Sequence, residues 1–296
     1  MNQSPKVSII MNCHNSETYL KEAINSIYSQ TYTDWEIIFW DNNSSDKSSE
    51  IAKSYDDKIK YFRGNKTIPL GEARFLATQK CEGKYLAFLD CDDIWYEDKL
   101  TRQLDLFKKE GPIGFVYGKA NIIKEERISD DVLGHNKHLP EGNIFNELLK
   151  EDFIPFPSAL VDLKKFWTVG GFPKHFYHAP DYWIFLHLAK KFKVYALQEP
   201  CCAYRIHQSN LSHSQKILCS KESIEVVKKF LPDKNAYLGL ENHKVTLAFS
   251  YFRTKKFFKF ILFIPKVSFR ILFLRISNKF YLSFFNHFVV SNKIHK

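Results

Sequence analysis

An apolar run ends at residues 89–93 in Leu-Asp-Cys-Asp-Asp, which puts three carboxylates within four positions. Asp90, Asp92 and Asp93 repel one another when ionised, so a cluster of this kind asks for a partner of opposite charge. A hard divalent cation is the best chemical match. Mg²⁺ and Mn²⁺ prefer oxygen ligands and commonly bind through one or two carboxylates completed by substrate phosphates. The competing reading is a solvated loop that caps the next helix, with Asp92 or Asp93 as N-cap. Taken alone, the five residues divide evenly between the two. A second polar loop favours a site: Asp41 to Asp46 (DNNSSD) comes after the apolar run Glu36 to Trp40 in the same manner. There is no GxxxxGK[ST] loop and no GxGxxG fingerprint, which removes P-loop ATPases and ordinary dinucleotide-binding dehydrogenases.

The elements that carry these loops alternate. Val7 to Cys13 reads as a buried strand, and Ser16 to Gln30 as a helix with Leu20, Ala23, Ile24 and Ile27 on one face. Further strands are expected at 36–40, 59–62 and 85–89, and helices at 48–55, 71–79 and 99–109. Continuous apolar strands alternating with helices predict an α/β fold with a mostly parallel, Rossmann-like sheet flanked by helices. Ligands of such a sheet sit at the carboxyl ends of its strands, where both acidic loops lie. From Gly114 the alternation loosens. Residues 115–123 read as one or two strands, 144–149 as a helix, 158–161 as a strand, 182–191 as a helix and 194–197 as a strand, while 124–157 are too irregular to read. Either a mixed sheet extends the first one or a small second lobe is added.

In that order and spacing, VSIIMNCHN, EIIFWDNNSSD, GEARFLA and GKYLAFLDCDDIWYEDKL resemble the family 2 glycosyltransferases of GT-A fold, and the likeness continues through VGGF (169–172), Asp181 and YRIHQSNLS (204–212). The resemblance implies a nucleotide-sugar-binding half at 1–120 and an acceptor half at 121–215. It implies donor contacts from Asn12, His14, Asn15, Asp41, Asn42, Arg74, Asp90, Arg205 and His207, with Asp92 and Asp93 on Mg²⁺ or Mn²⁺. Asp181 stands where the family carries its catalytic base, with Pro180 in place of the preceding Glu; Asn42 replaces the second of two acids near the nucleobase, and Phe75 replaces an Asn. The resemblance also implies inverting, metal-dependent transfer to a hydroxyl of a surface-glycan acceptor, such as lipopolysaccharide, O-antigen or capsule. A polyprenyl-phosphate glycosyltransferase and a non-catalytic binding module of the same fold are its rivals.

Charge is unevenly placed. The formal net charge is +10, but no acidic residue lies beyond Glu241, and residues 242–296 hold 11 Lys and Arg, leaving 32 basic against 33 acidic residues before them. A neutral body argues against a nucleic-acid partner, whose phosphates would need basic side chains across the folded surface. The same tail holds 12 of the 27 phenylalanines, and its basic residues and Pro265 interrupt every run long enough to span a bilayer. We expect 216–296 to be helical and to lie on an anionic membrane, with packing on the body or in a homodimer as the alternative. Six cysteines without metal or CxxC spacing, and no signal-peptide pattern at the start, lead us to expect a reducing compartment at the cytoplasmic face of the membrane.

Overall fold

The computed structural model describes residues 7–133, 138–208, 210–264 and 267. Its contacts divide the chain into two units, 1–214 and 215–296.

The first unit is built on one nine-stranded mixed sheet. Strand β1 (Val7–Cys13) pairs in parallel with β2 (Trp35–Asp41) and with β4 (Tyr85–Phe88), and β2 pairs in parallel with β3 (Ile59–Arg63). Every residue of β2 is buried, which explains its lack of polar alternation: both sheet faces are covered. Helix α1 (Glu17–Tyr28) buries Leu20, Ala23, Ile24 and Ile27, the stripe expected from its spacing. Helices α2 (Ser48–Lys53), α3 (Leu70–Thr78) and α4 (Lys99–Leu106) complete this half.

The second half extends the same sheet and makes no separate lobe. Strand β8 (Leu160–Asp162) runs antiparallel to β4 and to β6 (Ile113–Lys124), while β9 (Lys193–Arg205) runs parallel to β6. The sheet is therefore parallel across β3–β2–β1–β4 and again between β6 and β9, with β8 reversed between the two parts. Buried strands look alike in either direction, so apolar runs could not predict this reversal. Residues 113–124 form one long strand, and β9 continues well past Leu197 through Gln198-Glu199-Pro200. A proline and two polar residues read as a break, but irregular register opposite Gly118–Ala120 accommodates them. Two short strands escaped prediction: β5 (Ile94–Trp95), antiparallel to β9, and β7 (Arg127–Val132), which folds back on β6 within the segment that could not be read. Helices α5 (Phe145–Lys150), α6 (Leu163–Thr168), α7 (Pro180–Ala189) and the single turn α8 (Leu211–Ser214) fill the remaining connections.

Helix α3 is pressed onto the loop at 173–176. Gly71 donates its N–H to the Phe176 carbonyl at 2.8 Å, and a Cβ at this position would lie 2.0 Å from the Pro173 oxygen. Only glycine permits that approach.

In the second unit α9 (Lys216–Lys228) packs against α10 (Lys234–Arg253), which Asp233 caps by accepting from the Asn235 and Ala236 amides. Helix α11 (Phe257–Phe263) buries none of its residues within the described structure. Among the described residues no helix is long and apolar enough to cross a membrane. Lys259 lies in α11, whereas Pro265, Lys266 and Arg270 fall outside the described residues.

Candidate active site

The carboxyl ends of β1, β2 and β4 meet at one edge of the sheet, and the two acidic loops leave from it. Asp41 ends β2 and is wholly buried. It accepts hydrogen bonds from the Tyr61 hydroxyl, from Arg63 at 3.3 Å and from the Ser44 amide at 2.7 Å, so its charge is spent on fixing the loop beyond it. Asn42 is similarly engaged. Its Nδ2 donates to the Ile68 carbonyl at 2.9 Å and its Oδ1 accepts from the Ile68 amide at 3.1 Å. An amide can answer both backbone groups, and a carboxylate cannot. The departure at position 42 thus has a structural cause. His14 and Asn15 stand exposed at the end of β1, His14 against the Asn42 carbonyl at 3.0 Å and Asn15 at φ +53° bracing Ser45. Asn12, near the end of β1, has both polar atoms of its amide buried without a partner.

Arg74 points from α3 to Asp90, with Nη2 3.3 Å from Oδ1. The guanidinium lies 3.7 Å from the Phe156 ring centre, and this packing fixes its direction. The Asp90 carboxyl is raised to about 6, by burial first and then by the charges of Asp92 and Asp181, against the lowering effect of Arg74. Asp181 lies in the first turn of α7 and its Oδ1 accepts from the Tyr182 amide at 3.0 Å. Pro180 opens the same helix, where a missing N–H costs nothing. Phe75, the neighbour of Arg74, turns away, edge-on to Trp167 at 5.6 Å and under the Lys174 ammonium at 4.2 Å.

The remaining acids separate. Asp92 is partly open, and its Oδ2 meets His207 Nε2 at 2.8 Å and accepts from Asn210 Nδ2 at 3.2 Å. Asp93 turns inward with no exposure. Its Oδ1 accepts from the Arg205 amide at 2.9 Å, and Oδ2 is buried without a partner. Burial first, then the charges of Asp92 and Asp90, push its carboxyl well above the ordinary range. Asp90 and Asp92 are therefore the motif acids that keep partial exposure, 33% and 26% of the side chain, against none for Asp93. An oxygen and an imidazole nitrogen meeting at Asp92 and His207 fit Mg²⁺ or Mn²⁺ when phosphate oxygens complete the shell. Among the described residues no three His, Cys, Asp or Glu side chains form a metal cage by themselves. Arg205 is almost fully buried and its guanidinium is taken up by Glu22, Glu126 and the Asp92 carbonyl.

Sequence reasoning passed over Asn210, Glu22, Glu126 and Phe156. Asn210 lies inside the quoted YRIHQSNLS segment and was within reach. The other three are distant in sequence, and only the assembled sheet brings them in.

The family model "Glycosyl transferase family 2" matches residues 8–170. The chain belongs to glycosyl transferase family 2. The Escherichia coli UDP-Glc:alpha-D-GlcNAc-diphosphoundecaprenol beta-1,3-glucosyltransferase WfgD is 30% identical over 84% of this chain and 98% of its own length. The Bacillus subtilis putative teichuronic acid biosynthesis glycosyltransferase TuaG is 27% identical over 72% of this chain and 84% of its own. Among solved structures, the mannosyltransferase PcManGT of Pyrobaculum calidifontis, in complex with GDP-Man and Mn²⁺, superposes with a TM-score of 0.63 at 16% identity, covering 83% of this chain and 73% of that one. This family 2 enzyme is a glycosyltransferase, and its mixed sheet with flanking helices is the GT-A architecture expected from the motifs.

Proposed function

We propose that this glycosyltransferase moves a sugar from a nucleotide diphosphate donor to a hydroxyl of a surface glycan assembled on a lipid diphosphate, inverting the anomeric centre. One observation carries the reading: Asp90 and Asp92 keep exposed side-chain surface at the strand ends, with Arg74 on Asp90 and His207 on Asp92. The E. coli relative is named for a UDP-sugar donor and a diphosphoundecaprenol-linked acceptor, which supports both substrate classes. The teichuronic acid relative supports the surface-glycan assignment.

In this reading Asp92 and His207 hold Mg²⁺ or Mn²⁺, and PcManGT, which carries Mn²⁺, supports the choice. The bound cation supplies positive charge against the departing diphosphate. The chain's own residues do the rest. Asp181 accepts the proton of the acceptor hydroxyl as its oxygen attacks the anomeric carbon, and the sugar–phosphate bond breaks on the opposite side. Arg74 holds the Asp90 carboxylate from α3. A single displacement with one base inverts the configuration.

The second unit is proposed to rest on the cytoplasmic face of the cell membrane. Phe258 is 75% exposed and Ile261 66% exposed on α11, and Lys255, Lys256 and Lys259 accompany them. Aromatic and aliphatic side chains entering the interface beside ammonium groups at anionic head groups is the pattern of a surface-lying helix.

The test is Asp181→Asn with a panel of nucleotide sugars and lipid-diphosphate acceptors. Transfer to a hydroxyl is expected to fall by roughly 10²- to 10⁴-fold, the usual contribution of a general base, while donor binding persists. Full transfer by Asp181→Asn would support attack by a phosphate oxygen, which needs no base. A retained anomeric configuration in the product would refute the single displacement.

A further inference from the structure

Arg205 ends β9, and it is 3% exposed although two of its partners are surface carboxylates. Its main-chain N–H donates to Asp93 Oδ1 and its Nε–H to the Asp92 carbonyl, both at 2.9 Å. One Nη donates to Glu126 at 2.8 Å and the other to Glu22 of α1. The Tyr19 ring, 4.2 Å from the guanidinium carbon, closes one face. A single side chain thereby joins the Asp92–Asp93 loop, helix α1 and the turn between β6 and β7. Sheet register delivers that turn: Ile122 pairs with Tyr204 and Ile123 with Arg205, so the chain leaving β6 at Lys124 turns beside Arg205.

The turn itself is unfavourable. Lys124 pairs with Arg127, and the two residues between them, Glu125 and Glu126, have φ of +48° and +61°. Two-residue hairpin turns with both centres in the left-handed region strongly prefer Asn-Gly, because glycine lacks the Cβ that strains this conformation and the short polar side chain of asparagine tolerates it. Two glutamates are a poor choice for the turn alone. Strain kept at a functional site is explained when a side chain is needed at that place, and at Glu126 the side chain reaches Arg205.

We propose that Glu126 and Glu22 are positioning residues for the transfer: they fix Arg205, which in turn holds the Asp92–Asp93 loop so that Asp92 faces His207. The inference rests on the reading of Asp92 and His207 as the cation-holding pair. It gives Glu126, in a turn outside every quoted motif, a positioning role that Glu125 does not share.

The experiment compares wild type with Glu125→Gly, Glu126→Gly and Glu126→Gln, by hydrogen exchange of the metal-free protein and by steady-state transfer with Mn²⁺. Glu125→Gly relieves strain and leaves the clamp, so exchange at Arg205 and turnover are expected to match wild type. Glu126→Gly relieves the same kind of strain but removes the carboxylate. The Arg205 amide is expected to exchange about tenfold faster, the scale of one lost charge-assisted hydrogen bond. Turnover (kcat) is expected to fall by a similar factor with little change in donor KM, since alignment and not binding is lost. Glu126→Gln keeps an acceptor and recovers part of both. If Glu126→Gly behaves like Glu125→Gly in exchange and in kcat, the clamp is refuted. Full Mn²⁺-dependent turnover in Asp92→Asn would instead overturn the cation-site reading, and exchange in metal-free protein would still decide the clamp.

Discussion

Replacing Asn42 by Asp restores the acid usual at this position, and the structure predicts that the change is harmful. The Asn42 amide satisfies both the N–H and the C=O of Ile68. An aspartate keeps the first contact and loses the second, and its charge then faces the Ile68 carbonyl. One lost hydrogen bond costs about 1 kcal/mol, and a partly buried carbonyl left without a donor about 1 kcal/mol more. A destabilisation of about 2 kcal/mol lowers Tm by roughly 4–8 °C in a domain of this size. The sign with pH comes from the same contact. Only the protonated form of the introduced carboxyl can donate to Ile68, so its folded-state pKa is raised above the unfolded value. Stability is then retained at low pH and lost as pH rises through the raised pKa. Thermal unfolding of Asn42→Asp and wild type from pH 5 to 8 reads the difference directly, and a nucleotide panel on the same samples reads base preference. Equal stability of Asn42→Asp and wild type at pH 8, or a deficit that shrinks as pH rises, would refute this assignment of the amide's role.

Three other outcomes are expected. Gly71→Ala drives a Cβ into the Pro173 carbonyl oxygen, 2.0 Å away; it is expected to lower stability by about 3 kcal/mol in denaturant titration and to lower transfer by shifting α3 with Arg74. Lys99 is fully buried, donates to Gln103 at 2.7 Å, and is pushed down by burial to about 8 from 10.5. A lysine with a depressed pKa burdens the fold while charged, so wild-type stability gains on Lys99→Met as pH rises from about 7 to about 9.5, by about 2 kcal/mol from the linkage relation; urea unfolding of both proteins at the two pH values checks it, and a constant difference would refute it. Phe258→Glu with Ile261→Glu is expected to reduce sedimentation with vesicles containing anionic lipid, while transfer to a water-soluble acceptor analogue is unchanged.

Strand ends and their loops were legible because β1, β2 and β4 are short, buried on both sides and closed by abrupt polar loops, so pattern alone fixes where the chain must turn. The carboxylate cluster at Asp90 and Asp92 stood out from the residues themselves, whereas Asp181 and His207 were singled out by the family resemblance. Direction and depth could not be read. Nothing in LDCDD says that Asp92 stays open while Asp93 turns inward to the Arg205 amide, because that choice is made by β9, far along the chain. Asp41 and Asn42 likewise look like ligand contacts in one dimension and are found engaged with Tyr61, Arg63 and Ile68.

The same limit applies with more force to Glu126. A local rule disfavours glutamate in a two-residue turn with left-handed centres, and the neighbouring residues offer no compensating signal. The compensation is three-dimensional: β6 and β9 share a register, and one arginine at the end of β9 needs an anion there. Local inconsistency of this kind concentrates where function constrains the chain. In the proposed reading Asp92 and Asp181 supply the groups that meet substrate and Glu126 holds the Asp92 loop through Arg205, so variants of Glu126 are expected to lower kcat where variants of Asp92 or Asp181 abolish it.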